Sequence, residues 1–193
     1  MAGLRVEPLD KTTWPDFAEL AERHNGVWNG CWCLAFHLEG GRGKTAAERR
    51  AAKEARVCEG RAHAAMVYDG TRCVGWCQFG SPEELPRIKH QKAYRAGLTA
   101  LPDWRITCFF VDKSYRGKGV ANVALEGALR DIARLGGGTV ESYPEDMEGR
   151  STSASFLYNG TVAMFERQGF ARTRQLGKNH WLVTRTLAPS RQG

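Results

Sequence analysis

No stretch of the 193-residue sequence stays apolar for the roughly 20 residues a membrane-spanning helix needs. The first ten residues, Met1 to Asp10, lack the apolar core of a signal peptide, which leads to the expectation of a cytoplasmic protein. Helix-turn-helix, zinc-finger and RNP patterns are absent. No second cysteine pair at ligand spacing completes Cys31-Trp32-Cys33 and His37, so no metal is expected. The six cysteines (Cys31, Cys33, Cys58, Cys73, Cys77, Cys108) are read as free thiols, several of them buried. Acidic residues are short as well: 21 Asp and Glu stand against 28 Lys and Arg, a formal charge of +7. That surplus suits an anionic partner, a phosphate-bearing small molecule or a nucleic acid. Two phosphate-binding fingerprints are missing. A dinucleotide fold needs Gly-x-Gly-x-x-Gly, but after Gly117 and Gly119 the third position is Asn122; a Walker loop at Gly43-Lys44-Thr45 needs its first glycine where Leu38 stands.

What is present fits a single globular domain, with 42% apolar and 25% charged residues. The expected domain covers residues 1–187, followed by a tail from 188 to 193. No internal repeat divides it, and monomer and homodimer are both compatible with it.

The chain is organised around Ile106 to Leu135. Ile106 to Val111 is an apolar run suited to a strand buried on both faces. After Asp112 to Tyr115 comes Arg116-Gly117-Lys118-Gly119-Val120-Ala121, and the period then changes. Ala121, Leu125, Ala128, Leu129, Ile132 and Leu135 fall on one helical face, with Asn122, Glu126, Arg130 and Asp131 turned away. Glycines at the start of a helix let backbone N–H groups turn inward where the macrodipole is positive, which makes an anion cradle.

Arg-x-x-Gly-x-Ala at Arg116, Gly119 and Ala121, after a strand ending in Val111, resembles motif A of the GNAT N-acetyltransferases. Val162 to Phe170 looks like that family's second motif. Cys31-Trp32-Cys33, Val74-Gly75-Trp76, and Cys108 to Val111 with Val140 to Pro144 together resemble a bacterial branch of the superfamily. The resemblance implies a single-domain α/β fold: a mixed, mostly antiparallel sheet with a central parallel, splayed strand pair, flanked by helices. It also implies acetyl-coenzyme A as acyl donor, with Arg116, Gly117, Lys118, Gly119, Val120 and Ala121 around the pyrophosphate. Phe110 and Val111 would pair with the pantetheine arm, a backbone N–H there polarising the thioester. A small-molecule amine is the implied acceptor, attacking directly in a ternary complex.

Two departures bear on the proton transfers. The family's motif-B tyrosine is Phe165 here, and Trp104 to Val111 carries no carboxylate. Glu141 is the first candidate for the base, or else a structural glutamate. Tyr143 and Tyr158 are candidates for the acid, or else packing residues. His37 and His180 have suitable pKa values for either role. A cysteine nucleophile lacks a partnering histidine by spacing. Phe165 keeps open a non-catalytic coenzyme A-binding module, and Arg87-Ile88-Lys89-His90-Gln91-Lys92 keeps open an aminoacyl-tRNA donor.

Taken in order, Leu4 to Val6 reads as a first strand and Thr13, with Asp16, as a helix cap. Asn25 to Gly43 crowds Trp28, Cys31, Trp32, Cys33, Phe36 and His37 on a glycine-bearing loop that covers the core or walls a pocket. The family resemblance favours a pocket lined by Trp28, Cys31, Trp32, Cys33 and His37. Thr45 to Glu48 is a capping box, and Arg49, Arg50, Lys53, Glu54 and Arg56 of its helix are read as a solvated face. Asp69-Gly70 is expected to turn a hairpin, Ile88 to Ala96 to form a short helix, and Thr139 to Tyr143 to lie parallel to the central strand. Pro144 to Ser155 reads as a polar loop, Thr161 to Gln168 as a helix, and Phe170–Leu176 and His180–Leu187 as closing strands.

Overall fold

The computed structural model describes residues 3–40, 43–152 and 157–190. Its elements are β1 (Arg5–Pro8), α1 (Trp14–Glu22), α2 (Ala46–Cys58), β2 (His63–Asp69), β3 (Arg72–Gly80), α3 (Gln91–Ala96), β4 (Trp104–Val111), α4 (Val120–Arg134), β5 (Gly138–Ser142), α5 (Val162–Arg167), β6 (Ala171–Gly177) and β7 (His180–Leu187). The strands form one sheet in the order β1-β2-β3-β4-β5-β7-β6. All neighbours are antiparallel except β4 and β5, which the crossover through α4 makes parallel. This is the architecture expected from the sequence. The ends of the loop 144–155 and of the tail, residues 153–155 and 191–193, lie outside the described residues.

Strand alternation, shifted by bulges in the β2–β3 and β3–β4 pairings, sorts the core into two layers. Met66, Tyr68, Trp76 and Phe110 face α1, where they meet Trp14, Phe17 and Leu20. Ala65, Val67, Val74 and Ile106 face α4, where they meet Val120, Leu125, Ala128 and Ile132. Leu135 falls just beyond α4 and is 53% exposed, so the apolar face ends one turn before the sequence pattern does.

Several local expectations shift. The β2–β3 pairing runs to Asp69 opposite Arg72, so the two loop residues are Gly70 and Thr71. Thr45 and Glu48 form the expected capping box. Thr13 does not cap α1; its hydroxyl donates to the carbonyl of Pro8 at 2.8 Å. The solvated face of α2 needs the largest correction. Lys53 is 0% and Arg56 6% exposed. Arg56 reaches both oxygens of Glu39 at 2.8 Å, a bidentate pair. Lys53 points into the core, and its partners belong to the site described next.

Candidate active site

β4 and β5 pair only from Trp104 opposite Val140 to Ile106 opposite Ser142, and then separate. The chain from 157 to 160 enters the gap. Phe109 N–H donates to the Tyr158 carbonyl at 2.7 Å, and Asn159 Nδ2 donates to the Thr107 carbonyl at 2.6 Å. Further along, Asp112 N–H donates to Val74 on the β3 side at 2.9 Å. Alternation then turns the Val111 N–H toward the splay. Close approach here depends on Gly75, where a Cβ would lie 2.7 Å from the Phe110 carbonyl oxygen and 2.9 Å from Val120 Cγ1.

The cradle follows at once. Asp112 sets the turn by accepting Ser114 N–H at 3.0 Å and its hydroxyl at 2.8 Å. Burial acts to raise this carboxyl, yet the Ser114 bonds and His24 hold it at about 2. Gly117 and Gly119 take φ of +73° and +80°, and Gly119 starts α4. A Cβ at Gly119 would meet nothing within 4 Å, so the conformation, not crowding, demands glycine there. First-turn amides of a helix have no intrahelical acceptor. The first turn of α4 carries no acidic side chain, and Arg116 and Arg167 stand along the same groove. The groove encloses about 400 Å³ between Phe109, Phe110, Val111, Val120 and Met164. These residues fit a pyrophosphate at the amides and an apolar-walled arm along β4.

A second cavity of about 430 Å³ lies next to it and shares one wall, Trp28. Its lining includes Cys31, Cys33, Phe36, Ile88, Cys108 and Tyr158. The Tyr158 ring lies 6.0 Å from Trp28 and 6.2 Å from Phe36. Trp28 reaches the shared wall through an unusual backbone: Asn25 to Gly30 all have positive φ, between 44° and 76°. A left-handed turn in L-residues is strained by about 1–2 kcal/mol per residue, and burial of Val27 and Trp32 holds it in place.

Under this chamber the two sulfurs of Cys33 and Cys108 lie 3.2 Å apart, and Trp76 Nε1 donates to Cys33 at 3.2 Å. Lys53 Nζ donates to Gln78 Oε1 at 2.7 Å and to His37 Nε2 at 3.2 Å. Burial brings the Lys53 ammonium down to about 8. Burial pushes the Cys33 thiol up, but the Cys108 bond, the Lys53 charge and the Trp76 N–H together bring it below the ordinary value. His37 Nδ1 meets the Glu84 carbonyl at 2.9 Å, so it must donate there, leaving Nε2 free to accept from Lys53. Burial first, then Lys53 and Arg56, depress this imidazole to about 2.

That depression has a sign. Unfolded His37 titrates near 6.5 and folded His37 near 2, so its contribution is complete above pH 6.5 and is lost as pH falls below it. About 1.4 kcal/mol should disappear per pH unit. Urea unfolding between pH 7 and pH 5 should show a steeper loss in the wild type than in a His37→Gln variant, the difference being this share of the slope.

The residues expected at the site divide into three groups. Phe110, Val111, Arg116, Gly117, Gly119, Val120 and Ala121 line the groove; Lys118 instead lies over the Tyr115 ring at 4.8 Å. Trp28, Cys31, Cys33 and Tyr158 line the chamber, whereas Trp32 packs on Trp14 and His37 sits behind the wall. Glu141 and Tyr143 line neither cavity. Glu141 Oε2 accepts from Tyr94 at 2.9 Å and Tyr143 at 3.2 Å, and burial raises the carboxyl. His180 faces Glu145, 3.3 Å away, and burial lowers it to about 4. Sequence reading missed Lys53 and Gln78. The one available signal was Val57, the only large apolar residue of α2, one turn from Lys53 on the same face.

A glycine-bearing turn at the start of α4, beside a splayed strand pair and an aromatic-walled chamber, is an arrangement that could hold a phosphate-bearing ligand next to a second one. The chain belongs to the acetyltransferase (GNAT) family, whose profile matches residues 28–170, and it is an acyltransferase. Family members use acetyl-coenzyme A. Solved structures share the fold at low identity. An N-acetyltransferase from Staphylococcus aureus Mu50 is 15% identical, with 98% of this chain and 100% of that one covered and a TM-score of 0.52. A Corynebacterium glutamicum protein described as histone acetyltransferase HPA2 and related acetyltransferase is 14% identical, with 98% of each chain covered and a TM-score of 0.55. RimL, a ribosomal L7/L12 α-N-protein acetyltransferase solved with coenzyme A, is 12% identical, with 98% and 97% covered and a TM-score of 0.52. No curated protein matches the sequence. Among the described residues no three or more His, Cys, Asp or Glu side chains group as metal ligands, and no helix is long and apolar enough to cross a membrane.

Proposed function

We propose that the protein transfers an acetyl or other acyl group from acyl-coenzyme A to the primary amine of a small molecule, by direct attack in a ternary complex. The observation that carries this reading is the adjacency of groove and chamber, which share Trp28 as a lining residue and so put an amine in one beside a thioester in the other.

The donor supplies an activated thioester carbonyl. Arg116 and the amides from Gly117 to Ala121 hold its pyrophosphate, and Phe110 and Val111 line its arm. The Val111 N–H polarises the carbonyl as charge develops. The amine nitrogen bonds to the carbonyl carbon, the carbon–sulfur bond breaks, and the thiolate takes a proton. Tyr158 is the acid in this reading; its phenol lies in the chamber and burial raises it, which keeps the proton available. The base receives the amine's proton through water. Glu141 accepts it only by way of Tyr94 or Tyr143, which occupy its oxygen.

The test is release of free thiol from acetyl-coenzyme A across a panel of amines. Amine-stimulated release is expected, and Tyr158→Phe should lower kcat about 100-fold with little change in donor KM. Slow release that no amine accelerates would sink the catalytic reading in favour of a coenzyme A-binding module. Salt-sensitive tRNA binding without amine stimulation would point to an aminoacyl-tRNA donor.

A further inference from the structure

The acceptor chamber is lined without a single aspartate or glutamate among the described residues. Its charged lining residues are Arg87 and Lys89, on either side of buried Ile88. Arg87 N–H donates to the Phe36 carbonyl at 3.1 Å, so this basic edge is fastened to the aromatic loop. The Lys89 ammonium lies 5.7 Å from the Tyr158 ring centroid. Its nearest carboxylate, Glu145, is 4.0 Å away and is shared with Arg150 at 3.7 Å and His180 at 3.3 Å.

A cationic ligand entering such a chamber would lose hydration and meet the charges of Arg87 and Lys89, with no carboxylate among the described lining residues to offset the cost. Polyamines and other polycations need carboxylates around them and find none here. An anionic group also loses hydration, but attraction to Arg87 and Lys89 offsets that cost. The planar guanidinium of Arg87 matches a carboxylate in two-point geometry, and Lys89 adds a point charge. The remaining walls, Trp28, Phe36, Ile88 and Tyr158, ask for an apolar or aromatic body.

We propose that the acceptor is a small primary amine that also carries a carboxylate on an apolar or aromatic body, the chemistry of an apolar amino acid, with Arg87 and Lys89 as its specificity residues. This deepens the small-molecule reading above and rests on it. It separates the protein from acetyltransferases whose acceptors are polycationic, because the sign of the chamber excludes them.

The experiment compares thiol release from acetyl-coenzyme A with apolar and aromatic α-amino acids, each paired with its own amide, and with spermidine. Rates are referred to the concentration of free amine, so that the different basicities cancel. In the wild type the acids should exceed their amides in kcat/KM by roughly 10- to 100-fold, the worth of one charge-assisted contact. In an Arg87→Gln/Lys89→Gln variant that ratio should fall to near one, through KM rather than kcat. Amides or spermidine used as well as the acids would overturn the acidic acceptor while leaving small-molecule acetylation standing. A ratio unchanged in the variant would remove Arg87 and Lys89 from the argument and overturn the proposal. Thiol release with none of these amines would overturn the acidic acceptor, and only silence across the wider amine panel would overturn small-molecule acetylation as well.

Discussion

Replacing Gly119 with glutamate should abolish stabilisation by acetyl-coenzyme A while the fold survives. Wild-type protein at about 100 times the dissociation constant should gain roughly 2.7 kcal/mol, seen as a raised unfolding midpoint. The variant should gain nothing, a loss of about 100-fold or more in affinity. Two causes add. The position has φ +80°, which a non-glycine residue holds only at about 1–2 kcal/mol, and relaxing toward an ordinary conformation would turn the cradle amides away from the ligand. The new side chain also has open space around its first carbon, so it does not disrupt packing; it brings a carboxylate to the end of α4 that should attract an anion. Gly119→Asn separates these causes, since asparagine tolerates the left-handed region and brings no charge. It should keep most of the ligand-induced shift. Equal loss in both variants would mean that backbone geometry alone holds the pyrophosphate; a full shift in the glutamate variant would remove the cradle from the coenzyme site.

How much of this was legible in the sequence depends on the range of the forces involved. The unit β4–cradle–α4 was readable because each of its signals is local: an apolar run, paired glycines, then a period of 3.6. The capping box at Thr45 is equally local. The turn from Asn25 to Gly30 was not readable, because Val27 and Trp28 take a left-handed backbone against their own preference. Tertiary burial of Val27 and Trp32 overrides that preference, and no window of sequence contains it. Glu141 was legible as a strand residue near the site but not as the acceptor of a phenol from Tyr94, 47 positions earlier. The same holds for the chamber, where Cys33 and Cys108 meet across 75 positions. A basic pair at Arg87 and Lys89 showed in the sequence as charge, and only the fold shows that it flanks a cavity rather than a flat surface.

Lys53 is where the charge pattern misled most, and its removal should have the largest effect on stability. Its ammonium is fully buried and donates to Gln78 and His37, with the Cys33 and Cys108 sulfurs close enough to favour its charged form. Lys53→Ala removes the donor from two buried acceptors, leaves a cavity, and takes the counter-charge from Cys33. Breaking a buried charged contact by deleting one partner costs about 3–5 kcal/mol, and that is the expected loss in urea unfolding at pH 7. Lys53→Met keeps the volume and should recover the cavity part alone, because Gln78 Oε1 and His37 Nε2 remain without their donor at about 1–3 kcal/mol each. Stability by itself would not separate a charge from a well-fitted chain, so a second readout is needed. With Lys53 present, Cys33 is held below the ordinary thiol range and should alkylate at pH 7 faster than buried Cys77, whose thiol burial pushes well up. In Lys53→Met the Cys33 rate, followed by peptide mass spectrometry, should fall toward that of Cys77. An unchanged Cys33 rate, or a methionine variant as stable as the wild type, would show that the ammonium fills space in the core without governing the thiol at the floor of the chamber.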